Sequence, residues 1–208
     1  MIRSCRQVSV SALVAETDTS FSRLVSLAAH DLRTPLATIH GFAQTLVRMG
    51  DLDDTKQRYM EMINAASRQL AELLDELGLA ARIEGDRYEP NLQPVDTLDL
   101  ARGAAEELGE ERVRVGGAGA TVLVDVDATR RGVAALVQAA LRHGGFDEVD
   151  CHADGATLTI RPVTAASGPV LLGQDLRDLG AAVAVLVVEA LGGSVRLDGE
   201  AVVVHLPK

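Results

Sequence analysis

Ser26-Leu27-Ala28-Ala29-His30-Asp31-Leu32-Arg33-Thr34-Pro35-Leu36, continued by Ala37-Thr38-Ile39-His40-Gly41-Phe42, is the stretch on which the reading of this chain turns. Its apolar residues recur at three- and four-residue steps, the period of one helix face. Within that helix a neutral imidazole with one nitrogen exposed is a nucleophile, and a phosphoryl group placed on it forms a labile N–P bond ready for onward transfer. His30 is the candidate nucleophile. Asp31 beside it can accept a hydrogen bond or a proton from the ring and so raise the nucleophilicity of the other nitrogen. Thr34 follows one turn later on the same face, where its hydroxyl is placed to position a water for dephosphorylating a bound partner. Pro35 removes a backbone donor and bends the helix just past the site. For Arg33, pairing with Asp31, contact with a phosphoryl group and plain solvation all fit the sequence.

Outward from this stretch, Phe21, Leu24, Ala28, Leu32, Leu36, Ile39, Ala43 and Leu46 extend the helical stripe over about Thr19 to Met49. Gly50-Asp51-Leu52-Asp53-Asp54 supplies a glycine stop and an acidic restart. Tyr59, Ile63, Ala66, Leu70, Leu73, Leu77 and Ala80 then carry a second helix to about Ile83. The two helices predict an antiparallel hairpin. Neither apolar stripe is fully buried by one partner helix, so two hairpins are expected to pair into a homodimeric four-helix bundle.

Gly85 to Pro94 breaks the helical pattern with a glycine and two prolines, and is expected to be a linker. Residues 1–18 then form an N-terminal segment, 19–84 the hairpin, and 95–208 a second domain. In that domain helices are expected at Asp96–Leu108, Asp127–His143 and Asp175–Leu191, each opened by an Asp suited to an N-cap. Strands are expected at Arg112–Val115, Thr121–Val126, Glu148–His152, Thr157–Arg161, Ser194–Leu197 and Ala201–Leu206, with a Gly/Ala turn at Gly116–Ala120. The predicted fold class is α+β: a helical hairpin followed by a small two-layer α/β sandwich with helices on one sheet face.

Composition excludes several functions. Hydrophobic residues make up 47% of the 208 residues, enough for a core, with only five aromatic residues and no Trp, which disfavours a base-stacking surface. The net charge is -10, with ten Lys/Arg against thirteen Asp/Glu in residues 1–90 and ten against seventeen in 91–208. That balance offers no basic face for nucleic acid or anionic lipid. Cys5 and Cys151 are far apart without metal-ligand spacing, so a reducing, cytoplasmic setting is expected. The apolar run Leu179–Leu191 is too short to cross a bilayer, and the first residues lack a signal-peptide pattern, so no membrane association is expected. His40 is expected on the helix surface. His143, His152 and His205 are expected at element ends, with no ligand spacing among them.

The His30-Asp31-Leu32-Arg33-Thr34-Pro35-Leu36 heptapeptide closely resembles the phosphoacceptor box of sensor histidine kinases, and the resemblance runs through the hairpin. It implies two-component signalling, a dimer, and a partner receiver domain that presents an aspartate and its own magnesium, with Arg33 and Thr38 as contacts to that partner. The element order after Pro94 resembles the kinase ATP-binding sandwich. There the chain departs from the family: Ala135 and Ala139 stand where the family has a magnesium-holding Asn, and no oxygen donor is left for a hard cation. Pro162–Pro169 replaces the family's Asp-x-Gly-x-Gly turn, the lid segment is only a few residues long, and Asp178 stands where a Gly opens the phosphate-cradling helix. Val183–Val188 is apolar on every side, so the vacated pocket has either filled in or packs on a partner. The expectation is histidine phosphotransfer to or from a receiver aspartate, with response-regulator phosphatase activity as a further possibility and no cofactor on this chain. The alternatives are a divergent active kinase and a non-enzymatic dimerising scaffold.

Overall fold

A computed structural model describes the backbone of residues 10–50 and 52–207, and side chains from Ser22 onward apart from Asp51. The chain divides into two compact units at Tyr88/Glu89.

In the first unit α1 (Val10–Met49) and α2 (Asp54–Glu84) form the antiparallel hairpin. α1 starts earlier than the apolar stripe suggests; Phe21 and the side chains before it lie outside the described residues, as does Cys5. Gly50, at φ +70, ends α1 in the left-handed conformation that a side chain resists. The Asp53 carboxylate then caps α2, accepting from the Lys56 amide at 2.9 Å. That bond and the Lys56 ammonium hold the Asp53 carboxyl below its ordinary range.

The seam between the helices is not the stripe of large apolar residues. On α1, Ser22, Ala29, Leu36 and Ala43 are buried, at seven-residue intervals; on α2 the buried residues are Ser67, Gly78, Leu79 and Ala81. Small side chains let the backbones approach closely, and a seven-residue repeat keeps one seam facing the partner helix. A methyl group at Gly78 would lie 3.9 Å from the Ala29 methyl, which fixes the level at which the helices meet. The large residues lie outside: Leu24, Leu32, Ile39, Phe42 and Leu46 on α1, and Tyr59, Ile63, Leu70, Leu73 and Leu77 on α2, are all exposed. His40 is half-buried in the seam rather than free on the surface, with its Nε2 2.8 Å from Gln44, while His40 Nδ1 and Asn64 Oδ1 are buried without a partner.

The second unit opens inside the stretch read as a linker. Residues 85–91 connect, and β1 (Leu92–Asp96) already pairs with β3 (Thr121–Asp125) in a two-stranded antiparallel sheet. Pro94 is tolerated because β1 pairs on one side only. Between them run α3 (Thr97–Leu108) and β2 (Val113–Gly119); α4 (Val126–Gly144), β4 (Val149–Gly155), β5 (Thr157–Arg161), α5 (Gly168–Leu171), α6 (Leu179–Ala190), β6 (Ser194–Asp198) and β7 (Ala201–His205) follow. The main sheet has the order β2-β4-β5-β7-β6, with β2 parallel to β4 and the other pairs antiparallel.

Several boundaries differ from the sequence reading. Gly116–Gly119 is not a turn but the end of β2, paired with His152–Gly155. Gly117, at φ +97, lies against the Ala153 carbonyl where no Cβ fits. His152 accordingly sits in the middle of β4. The N-caps of α4 and α6 are Asp125 and Asp178, not Asp127 and Asp175, and a separate short helix, α5, precedes α6.

The core lies between the sheet and the helices: Leu100, Leu136, Cys151, Leu158, Ile160, Val202 and Val204 are fully buried. Alternate strand residues such as Asp150, His152 and Thr159 face away from it. Burial pushes the Cys151 thiol up to about 12, which leaves it an inert core residue. Among the described residues no helix is long and apolar enough to cross a membrane.

Candidate functional site

His30 and Asp31 stand on the outer surface of α1, their side chains 75% and 68% exposed. The ring Nδ1 lies 3.2 Å from Asp31 Oδ1. With the proton on Nδ1 donated to this carboxylate, Nε2 carries the free lone pair and faces solvent. That is the arrangement a phosphoryl acceptor needs.

His30, Arg33, Thr34, Ala37 and Thr38 line one open groove along α1. The five residues predicted as the site therefore lie together, Asp31 through its bond to the ring and the others along the groove. The Thr38 hydroxyl donates to the Thr34 carbonyl one turn back, at 3.1 Å. Pro35 lies inside α1 and has no amide for the Asp31 carbonyl one turn back, which frees that oxygen beside the imidazole.

Of the three fates open to Arg33, the structure adds a fourth partner. Its guanidinium donates to Asp75 Oδ1 on α2 at 2.5 Å, with both side chains nearly half exposed. Asp75 was not legible as a site residue, because the pairing rests on which α2 residue lies level with Arg33 across the hairpin. The seven-residue spacing of small residues holds that information, but hydropathy does not register it.

In the second unit, the two positions that the family resemblance assigns to magnesium and phosphate contacts, Ala139 and Asp178, are engaged within the chain. Ala139 is completely buried in the core. At the start of α6 the Asp178 carboxylate accepts from its own helix, at the Ala181 amide, 3.1 Å away. It also takes His143 Nε2 at 3.0 Å and Arg142 at 3.3 Å, and is only 10% exposed. A helix N-terminus that binds phosphate does so with free amides and positive potential, and here both are met by an internal anion.

The all-round apolar character of α6 has the same explanation. On one side Gly132 of α4 comes close enough to Ala184 that an added methyl would touch it at 3.4 Å. On another, Gly173, just after α5, lies against Ala182 and Val185. α5 buries Val170 and Leu171 completely. At these positions Ala139 offers no oxygen donor for a cation, and Asp178 caps the amides that open α6, so neither fits the contacts the family makes to a magnesium-nucleotide.

Comparison with known proteins identifies the family and the fold. The His Kinase A (phospho-acceptor) domain matches residues 22–86. The histidine protein kinase DivJ of Caulobacter vibrioides is 31% identical over 172 residues, covering 76% of this chain and 28% of that protein. The sensor protein kinase PmrB of Pseudomonas aeruginosa is 31% identical over 91 residues, 44% of this chain and 19% of its own length. The chain thus spans less than a third of these relatives. Among solved structures, full-length ShkA in complex with AMPPNP superposes with a TM-score of 0.66 at 20% identity, over 88% of this chain and 44% of that one. The Acinetobacter baumannii histidine kinase AdeS gives a TM-score of 0.54 at 18% identity, over 84% and 94%. At that identity the structures speak for the fold alone. The chain is a member of the sensor histidine kinase family of two-component signalling, built from a phosphoacceptor hairpin and a kinase-like α/β domain.

Proposed function

We propose that this chain is a dimeric histidine phosphotransferase that passes phosphate between His30 and receiver aspartates and does not use ATP. The observation that carries the reading is the contrast between the two units: His30 is exposed and backed by Asp31, while the N-terminus of α6 is sealed by Asp178. In the forward step His30 Nε2 attacks the phosphorus of a receiver's aspartyl phosphate. The acyl P–O bond breaks, the N–P bond forms, and the Nδ1 proton passes to Asp31 or solvent. The reverse step loads a second receiver, whose own site supplies the magnesium.

The dimer follows from the exposed apolar face of the hairpin. Leu24 is 62% and Phe42 68% exposed, and the row from Tyr59 to Leu77 continues that face on α2. A second copy covers it as a four-helix bundle. The groove beside His30 also supports response-regulator phosphatase activity, with the Thr34 hydroxyl orienting a water toward a docked aspartyl phosphate.

The experiment is to incubate the purified chain with phosphorylated receivers and follow acid-labile phosphate. Label on His30, absent from His30→Ala, supports the transferase reading. Neither transfer nor faster receiver dephosphorylation with any receiver tested overturns it in favour of a scaffold. Binding of magnesium-ATP in calorimetry overturns the claim that ATP is not used.

A further inference from the structure

We propose that Asp75 on α2 is a positioning residue for the phosphoacceptor: it holds the Arg33 guanidinium away from His30 until a phosphoryl group arrives, and then releases it. This rests on the reading that His30 carries phosphate.

Arg33 lies three residues after His30, one turn along α1, and both line the same groove. Of the groove's lining residues, Arg33 is the one with a permanent positive charge. In the unmodified chain that charge is engaged by Asp75 at 2.5 Å. The pair is 45% and 46% exposed, and an ion pair in such contact with water contributes little and exchanges readily.

A phosphoryl group on Nε2 changes the competition. It presents up to two negative charges and three acceptor oxygens, against one negative charge on Asp75, and a guanidinium binds such a group in bidentate fashion. Arg33 therefore transfers from carboxylate to phosphoryl. Two consequences follow at once: the phosphoryl gains a counter-charge, and α1 and α2 lose a bond across the hairpin at the level of the site, leaving the Asp75 carboxylate to solvent.

The test loads His30 chemically with phosphoramidate, which needs no receiver. The reagent's P–N bond breaks, the bond from phosphorus to Nε2 forms, and ammonia leaves with the ring proton. Labelling rate and the 31P resonance of the phosphohistidine are measured for the full chain and for Asp75→Asn, Asp75→Glu and Arg33→Ala, with circular dichroism as a check on folding. Asp75→Asn frees Arg33 to attract the incoming anion, so labelling accelerates by about fivefold. Asp75→Glu restores the original rate. In the phosphorylated form Arg33→Ala moves the 31P resonance, whereas Asp75→Asn leaves it in place because Arg33 has already moved. A merely structural pair gives the opposite pattern, with both variants lowering helicity and neither accelerating labelling.

Unchanged or slower labelling of Asp75→Asn overturns the proposal, as does a 31P resonance indifferent to Arg33. Labelling by phosphoramidate without transfer from any receiver instead overturns the proposed function and leaves this mechanism to be judged by the variants. No label on His30 at all overturns both.

Discussion

The two units of this molecule bury their side chains by opposite rules. The hairpin places Ser22, Ala29, Leu36, Ala43, Ser67, Gly78 and Leu79 inside and leaves Leu70, Leu73 and Phe42 outside; the α/β unit places Leu100, Leu136, Leu158 and Ile160 inside and holds the Asp178 carboxylate against Arg142 and His143. A unit with most of its large apolar residues outside expects a partner. The α/β unit is closed on its own core, and the helix terminus at Asp178 is satisfied from within. On the proposed function the family's two activities have separated, with the surface for phosphate exchange kept and the nucleotide site lost.

The largest expected effect tests the first half of that contrast. In the proposed symmetric dimer Leu70→Asp would remove an apolar contact twice and put a carboxylate at the interface, so the dissociation constant should rise by about a thousandfold or more. Light scattering after gel filtration should show monomers, and a stable dimer would break the comparison. In the α/β unit, Leu136→Ala should cost about 2–5 kcal/mol in denaturant unfolding, independent of protein concentration. Asp178→Ala removes a helix cap and the partner of His143, for a loss of about 1–2 kcal/mol without any gain in nucleotide binding. Gly78→Ala sharpens the hairpin seam: there is room for the methyl, so it should stabilise the helix by about 1 kcal/mol.

The smallest effect is the acid dependence of the α2 cap. The folded Asp53 carboxyl lies below its ordinary value, so its contribution is present above the unfolded value and is lost as pH falls through the folded one. Asp53→Ala should remove that part of the acid titration of helicity and change nothing at neutral pH beyond the lost cap.

Much of this was legible in the sequence, for reasons that also mark where it stopped. The heptapeptide at His30 and the glycine stop at Gly50 located the hairpin, and the missing Asn and Asp-x-Gly-x-Gly turn are what the proposed loss of ATP use rests on. The inner seam was only partly legible from hydropathy: Leu36 and Ala43 belong to the apolar stripe, but Ser22, Ala29, Ser67 and Gly78 carry little apolar signal while the exposed Leu70 and Leu73 carry a strong one. Periodicity finds the most apolar face and does not say whether the same chain or another copy covers it. β1 was hidden by Pro94, which reads as a strand breaker until β1 is seen to pair on one side only. Closely spaced aspartates, Asp125 with Asp127 and Asp175 with Asp178, made the helix starts ambiguous by a few residues. Asp75 was hidden because its partner lies on the other helix.

The central claim is that phosphate reaches His30 from another protein and not from ATP. The direct measurement is one assay with two donors: radiolabelled ATP with magnesium, and a receiver carrying labelled aspartyl phosphate, each offered to the full chain and to His30→Ala. The account predicts label on His30 from the receiver alone, and none from ATP. Label on His30 from ATP with no other protein present would contradict it.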